Sequence, residues 1–153
     1  MKRIALVLPV LLVAACGGSD GPSKSDYLAK AEAICKKAND DIDALAPPSD
    51  VKGIETFLNS LVATADQTTD ALERLDTPKD DTDALQSKFL KPLRTQVDEG
   101  REWADKVKTA AASNDQAKVF AALGDAPKMT EADEKWMTGY GFKECVEAAD
   151  TEE

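Results

Sequence analysis

The stretch DVKGIETFLNSLVATADQTTDALERL, residues 50–75, decides the fold. Ile54, Leu58, Leu61, Ala65, Thr68, Leu72 and Leu75 recur at steps of four and three without a break, and Phe57 and Val62 widen the stripe. Such steps put all of them on one face of an α-helix. The spacing therefore predicts a helix from about Asp50 to Leu75, stopped by Asp76-Thr77-Pro78-Lys79-Asp80. A long helix with one apolar face buries it against other helices when no strands are at hand. No stretch of this chain alternates with the two-residue period of a strand.

The same pattern extends outward in both directions. Upstream, Leu28, Ala31, Cys35, Ala38, Ile42 and Leu45 form a second stripe, with Lys30, Lys36, Lys37 and Asp41 off it. Ser23 and Asp26 fit a helix-start box, and Pro47-Pro48 ends the helix by disfavouring helical geometry at Ala46. Downstream, a third helix is expected from about Asp81 to Ala112, with Leu85, Phe89, Leu93, Gln96, Val97, Trp103, Val107 and Ala110 inward and Asp80 and Asp81 as caps. Pro92 should kink or split it near Lys88 to Leu93, and Gly100 weakens it further. Ser113 and Gln116 read as a capping box for a fourth helix with Ala117, Phe120, Ala121 and Leu123 inward. Gly124-Asp125-Ala126-Pro127 interrupts that helix, which resumes from Thr130 to Met137 with Met129, Ala132 and Trp136 inward. Gly139-Tyr140-Gly141-Phe142 reads as a turn, and Cys145 sits on a last short helix. The expectation is an all-α, antiparallel four-helix bundle with a short C-terminal helix.

The N-terminus reads differently. Lys2 and Arg3 precede an apolar run from Ile4 to Ala15, 12 residues long. That is far short of the roughly 20 residues that span a bilayer, and it is the layout of a secretory signal. Leu12-Val13-Ala14-Ala15-Cys16 resembles a bacterial lipobox, in which the cysteine is acylated, typically with palmitate, and the signal is cut ahead of it. The organisation expected is a signal at 1–15, a Gly/Ser tether at 16–24, a helical domain at 25–146 and an acidic tail at 147–153. A tether this short reaches about 15 Å on average, so the domain would sit close to the membrane. The expected location is the extracytoplasmic face of the cell membrane, held through Cys16.

The chain has 153 residues and a formal charge of −10. The signal takes two of its 19 cations and none of its 29 acids, so the mature charge is −12. That excludes nucleic acid as the expected partner, since phosphates reward clustered Lys and Arg. Setting Cys16 aside for lipid leaves Cys35 and Cys145, and an even pair in an exported chain reads as a disulfide. Bridging them would lock the last helix to the first, with Phe142 packed beside the sulfurs.

Ala31-x-x-Ile34-Cys35, Leu45-Ala46-Pro47-Pro48, Leu72-x-x-Leu75-x-x-Pro78 and Tyr140-Gly141-Phe142-x-x-Cys145, in that order, resemble a group of small actinobacterial-type helical lipoproteins. The resemblance implies a disulfide-tied helical bundle at the cell surface and supplies no catalytic residues. Where such proteins often carry Gly-Asp between the third and fourth helices, this chain has Asn114-Asp115.

No histidine exists in the chain, which removes the commonest general base and metal ligand. Acids cluster at Asp40-Asp41-x-Asp43, Asp80-Asp81-x-Asp83 and Glu131-x-Asp133-Glu134. None has the twelve-residue calcium-loop spacing, so they read as solvated or capping residues, with no metal or cofactor expected. Trp103 and Trp136 read as core residues rather than sugar platforms. The expected function is therefore non-enzymatic, the binding of an unidentified protein or envelope component. The alternatives are a small carrier holding an apolar ligand inside the bundle and, behind it, a carboxylate-based envelope hydrolase. An internal cavity lined by the stripes would favour the carrier.

Overall fold

In the computed structural model, residues 21–113 and 115–147 are described, and they contain helices, turns and no strand. The lipobox, Cys16 and most of the tether lie outside them, as do Asn114 and the tail beyond Glu147. Helix α1 spans Lys24–Asp43, α2 Val51–Glu73, α3 Thr82–Leu85, α4 Lys91–Ala112, α5 Gln116–Gly124, α6 Glu131–Tyr140 and α7 Glu144–Glu147.

Local side-chain chemistry starts α1 and α2. The Ser23 hydroxyl accepts from the Asp26 N–H at 3.1 Å, and Asp50 Oδ1 accepts from the Gly53 N–H at 2.6 Å. Both satisfy N–H groups that an α-helix leaves without internal partners. Helix α1 stops at Asp43, short of Pro47-Pro48. Two expected caps are corrected. Asp81 stands at the cap position of α3 but makes no capping bond there; its carboxylate accepts instead from the Tyr140 hydroxyl at 2.7 Å. Helix α5 is capped by Asp115, which accepts from the Ala117 and Lys118 N–H groups, while the Ser113 hydroxyl donates back to Ala110 and closes α4.

Pro92 neither breaks nor ends the third helix. Residues Gln86–Leu90 widen into a π-helical turn, closed by the Lys91 N–H bonding to the Gln86 carbonyl. A proline ring clashes with the carbonyl four residues back and offers it no N–H. Widening the turn ahead of Pro92 accommodates both facts, and α3, the π turn and α4 run on as one continuous helical stretch.

The C-terminal part departs furthest from expectation. Gly139 and Tyr140 belong to α6; the turn is made at Gly141, whose φ of +118° suits a residue without a Cβ. The Phe142 N–H bonds to Met137 and the Gly141 N–H to Thr138, the pattern that terminates helices at a left-handed residue. In α5, Phe120 is 70% exposed and Leu123 39%, so the expected inward face is wrong. Val119 and Ala122 are the more buried positions, because α5 lies against α4 with that side. Ala132 is likewise exposed.

Helix α1 packs on α2 and α7, α2 on α4, α4 on α5, and α6 on the π turn and α7. Two buried clusters result. The larger joins Tyr27, Ala31, Cys35, Leu72, Leu85, Phe89, Leu90, Met137, Phe142 and Cys145. The smaller joins Leu58, Ala104 and Val107, with Ile54, Leu61, Val62 and Trp103 around them. Phe142 stacks on Phe89 with ring centroids 4.1 Å apart, meets Tyr27 edge-on at 6.4 Å, and shares its cluster with both cysteines.

Cys35 and Cys145 form the expected disulfide, with Cα atoms 4.9 Å apart. Helix α7 has only four residues and could not hold itself. Beside the bridge, the Glu32 carboxylate of α1 accepts from the N–H groups of Lys143 and Glu144, at 3.0–3.1 Å. The Asn39 amide donates to the Glu144 carbonyl at 3.0 Å. A side chain more than 100 positions away thus caps the last helix.

Candidate functional site

Between the two buried clusters lies a cavity of about 260 Å³. Its walls come from stripes read in the sequence. Helix α1 supplies Cys35, Ala38 and Ile42; α2 supplies Leu61, Val62, Ala65, Thr68, Thr69 and Leu72; α4 supplies Leu93, Gln96, Val97, Gly100 and Trp103. Ala126, Pro127 and Met129, on the segment between α5 and α6, close one side, and Cys145 completes the wall. The space exists because small residues face one another at this level. Ala38, Ala65, Thr68, Thr69 and Gly100 line the space with side chains too short to fill it. A Cβ built on Gly100 would meet nothing within 4 Å.

Apart from Gln96, the walls are apolar in effect. The Thr68 hydroxyl donates to the Thr64 carbonyl at 2.7 Å and the Thr69 hydroxyl to the Ala65 carbonyl at 2.9 Å, so both protons are spent within α2. Trp103 presents its ring and donates its indole N–H to the Ala122 carbonyl at 2.8 Å, which ties α5 to the cavity wall.

Ion pairs brace the α2–α4 seam. Arg94 reaches Asp66, Asp70 and Glu73, and Arg101 reaches Asp66 and Asp98. The Arg94 hydrogen bond holds the Asp70 carboxyl below its ordinary value, and its carboxylate partners, Glu73 first and then Asp70, push Arg94 higher still. Such partly exposed pairs orient the two helices more than they stabilise them.

The sequence-marked acids do not come together. Asp40 and Asp41 pair along α1 with Lys36 and Lys37. Asp81 holds Tyr140, and Asp133 accepts from the Thr130 hydroxyl at the start of α6. Among the described residues no three His, Cys, Asp or Glu side chains converge where they could hold a metal ion. Trp103 and Trp136 serve different places: the first lines the cavity, and the second stacks on Tyr140 at 5.0 Å. Tyr140 is fixed on its other sides by Asp81 and by the Lys24 ammonium, 3.8 Å from its ring centre. Burial first, and then the Asp81 bond, raises the Tyr140 hydroxyl above its ordinary range.

Tyr27 was absent from the expected stripe and is one of the most buried residues. Its hydroxyl has no hydrogen-bond partner among the described residues, and burial raises its pKa to about 12. Position 27 lies four residues before Ala31 and eight before Cys35, so the signal was present in the spacing. No described helix is long and apolar enough to cross a membrane. Compared with known proteins, the chain matches no family model, no curated sequence and no solved structure.

Proposed function

We propose that the protein is a lipid-anchored, extracytoplasmic lipoprotein that carries a small apolar molecule between α2 and α4 without catalysing its conversion. The observation that carries this reading is the cavity of about 260 Å³ walled by the helical stripes. Dry apolar cavities of about 150 Å³ already admit benzene, and ligand pockets begin near 300 Å³. The cavity therefore suits a compact or single-chain guest. The lipobox at Cys16, the basic and apolar leader ahead of it and the paired cysteines support the anchor, the exported address and the kinship with small helical lipoproteins. The frame is read as an antiparallel four-helix bundle whose fourth member is divided into α5 and α6. Packing of α1 on α2, α2 on α4 and α4 on α5 through short joints supports it.

The test is titration with toluene, a headless apolar probe. Wild-type protein should bind it saturably. Ala65→Leu, which projects a larger side chain into the cavity, should fold and lose at least tenfold in affinity. Undiminished binding by that variant, or none by the wild type, would refute the carrier reading. In cells, Cys16→Ala should move the protein from the membrane fraction to the medium or periplasm. A second reading, docking of an envelope protein, rests on the exposed Phe120 and Leu123 of α5.

A further inference from the structure

The apolar cavity does not end at its own walls. Gln96 and Met129 line it, and the same two residues line a neighbouring groove of about 340 Å³ whose other lining residues are, except for Pro92, polar or charged. A two-residue partition thus separates an apolar chamber from one lined chiefly by polar and charged residues. Met129 is unbranched and adaptable, the side-chain type best able to move aside for a chain passing between them. Gln96 is the wall's free polar group: its amide makes no hydrogen bond to any described residue, whereas both wall threonines have spent their protons.

From this junction we infer that the ligand is a single-chain amphiphile whose head has no net charge, its tail in the cavity and its head in the groove against the Gln96 amide. The inference rests on the carrier reading and adds the chemistry of the guest. Tail length follows from volume: a methylene occupies about as much space as a liquid water, ~30 Å³, so the cavity takes roughly eight carbons. Head charge follows from the groove, where Lys91 and Lys128 are balanced by Glu99 and Asp133. An anionic head gains the lysines but meets both acids and a mature chain of net charge −12; a cationic head meets both lysines. A neutral or zwitterionic head meets no uncompensated charge, and Gln96 offers it both a donor and an acceptor.

The experiment uses the whole mature chain from residue 16, made acyl-free by Cys16→Ser, with its methionine methyl groups isotopically labelled. Met129 reports the junction and buried Met137 is the control. Octyl glucoside below its micelle concentration, octanoate and octylammonium are titrated separately, with toluene as the headless probe. Octyl glucoside should bind several-fold tighter than either charged analogue and shift the Met129 signal. Gln96→Leu should weaken octyl glucoside about fivefold more than it changes toluene, the worth of one ordinary hydrogen bond. Toluene is titrated on the same variant because Gln96 also lines the cavity, and an equal change for both probes overturns the head contact. Toluene binding without preference for octyl glucoside, or without any effect of Gln96→Leu on it, overturns this inference and leaves the carrier reading standing. Failure to bind toluene overturns both.

Discussion

Removing the Cys35–Cys145 bridge with the double variant Cys35→Ala/Cys145→Ala should cost this domain more than any other small change. The bridge spans 110 positions, nearly the whole described fold. Loop-closure entropy for a loop of that length amounts to about 4.8 kcal/mol at 25 °C. Natural domains of this size are stable by roughly 5–15 kcal/mol in total, so the variant should stand at the edge of folding. What remains on the C-terminal side is the Glu32 cap, the Asn39 hydrogen bond and the burial of Phe142. Each single Cys→Ala variant also abolishes the bridge, so both singles and the double should agree to within about 1 kcal/mol, apart from small packing terms. The assay is urea denaturation followed by far-UV circular dichroism, with the slope checked for a more expanded unfolded state. A loss under about 1 kcal/mol would refute the reasoning, because the unfolded chain would then already hold its ends together.

Two other changes should act in the opposite direction. Gly100→Ala in the middle of α4 should stabilise the protein by about 1 kcal/mol, since the added methyl has free space and alanine is the better helix former; destabilisation in the same urea assay would show that the cavity wall cannot take it. Tyr27→Phe removes a buried hydroxyl without a protein partner and should stabilise by about 1 kcal/mol at neutral pH. The sign with pH follows from the raised pKa. Folding disfavours the phenolate, so stability from this group is full below pH 10 and is lost as pH rises from 10 to about 12. The phenylalanine variant should lack that alkaline loss, and a variant equally sensitive to alkali would place its origin elsewhere.

Much of the frame was legible because it is written in local periodicity. The stripes of α1 and α2 needed only steps of three and four, and Ala31, Cys35, Ala38, Leu58 and Leu72 are buried as that spacing requires. The bridge was expected from an even pair of cysteines, once Cys16 was set aside and an exported chain assumed, and the pair is bonded. What escaped has a different physical origin. In α5 a nine-residue helix offers two short apolar faces, and side-chain size favoured Phe120 over Val119, yet contact with α4 selects the smaller pair. Gly139-Tyr140-Gly141 has turn composition, but only Gly141 takes the left-handed conformation, because tertiary contacts of Tyr140 carry α6 to that point. Glu32 and Asn39 carry no local signal of their role, which is set by a helix arriving over 100 positions later. The cavity was legible only in its parts, since facing small residues become a void only once the helix register is set.

The void and the bridge belong to one arrangement. At about 24 cal/mol per Å³, the figure for enclosed cavities, a 260 Å³ space would cost at most about 6 kcal/mol in lost packing. The bridge contributes about 4.8 kcal/mol by restricting the unfolded chain, and it does so without filling the interior. Both cysteines sit in the cavity wall, so the covalent tie is placed where non-covalent packing is thinnest. An ordinary core would spread the same stabilisation over bulky side chains at Ala38, Ala65 and Gly100. This chain keeps those positions small and holds the frame from one side by a covalent link and along the α2–α4 seam by ion pairs. That combination leaves room for a guest in the middle of the molecule, and a guest that restores the missing contacts would stabilise the folded chain in proportion to its affinity.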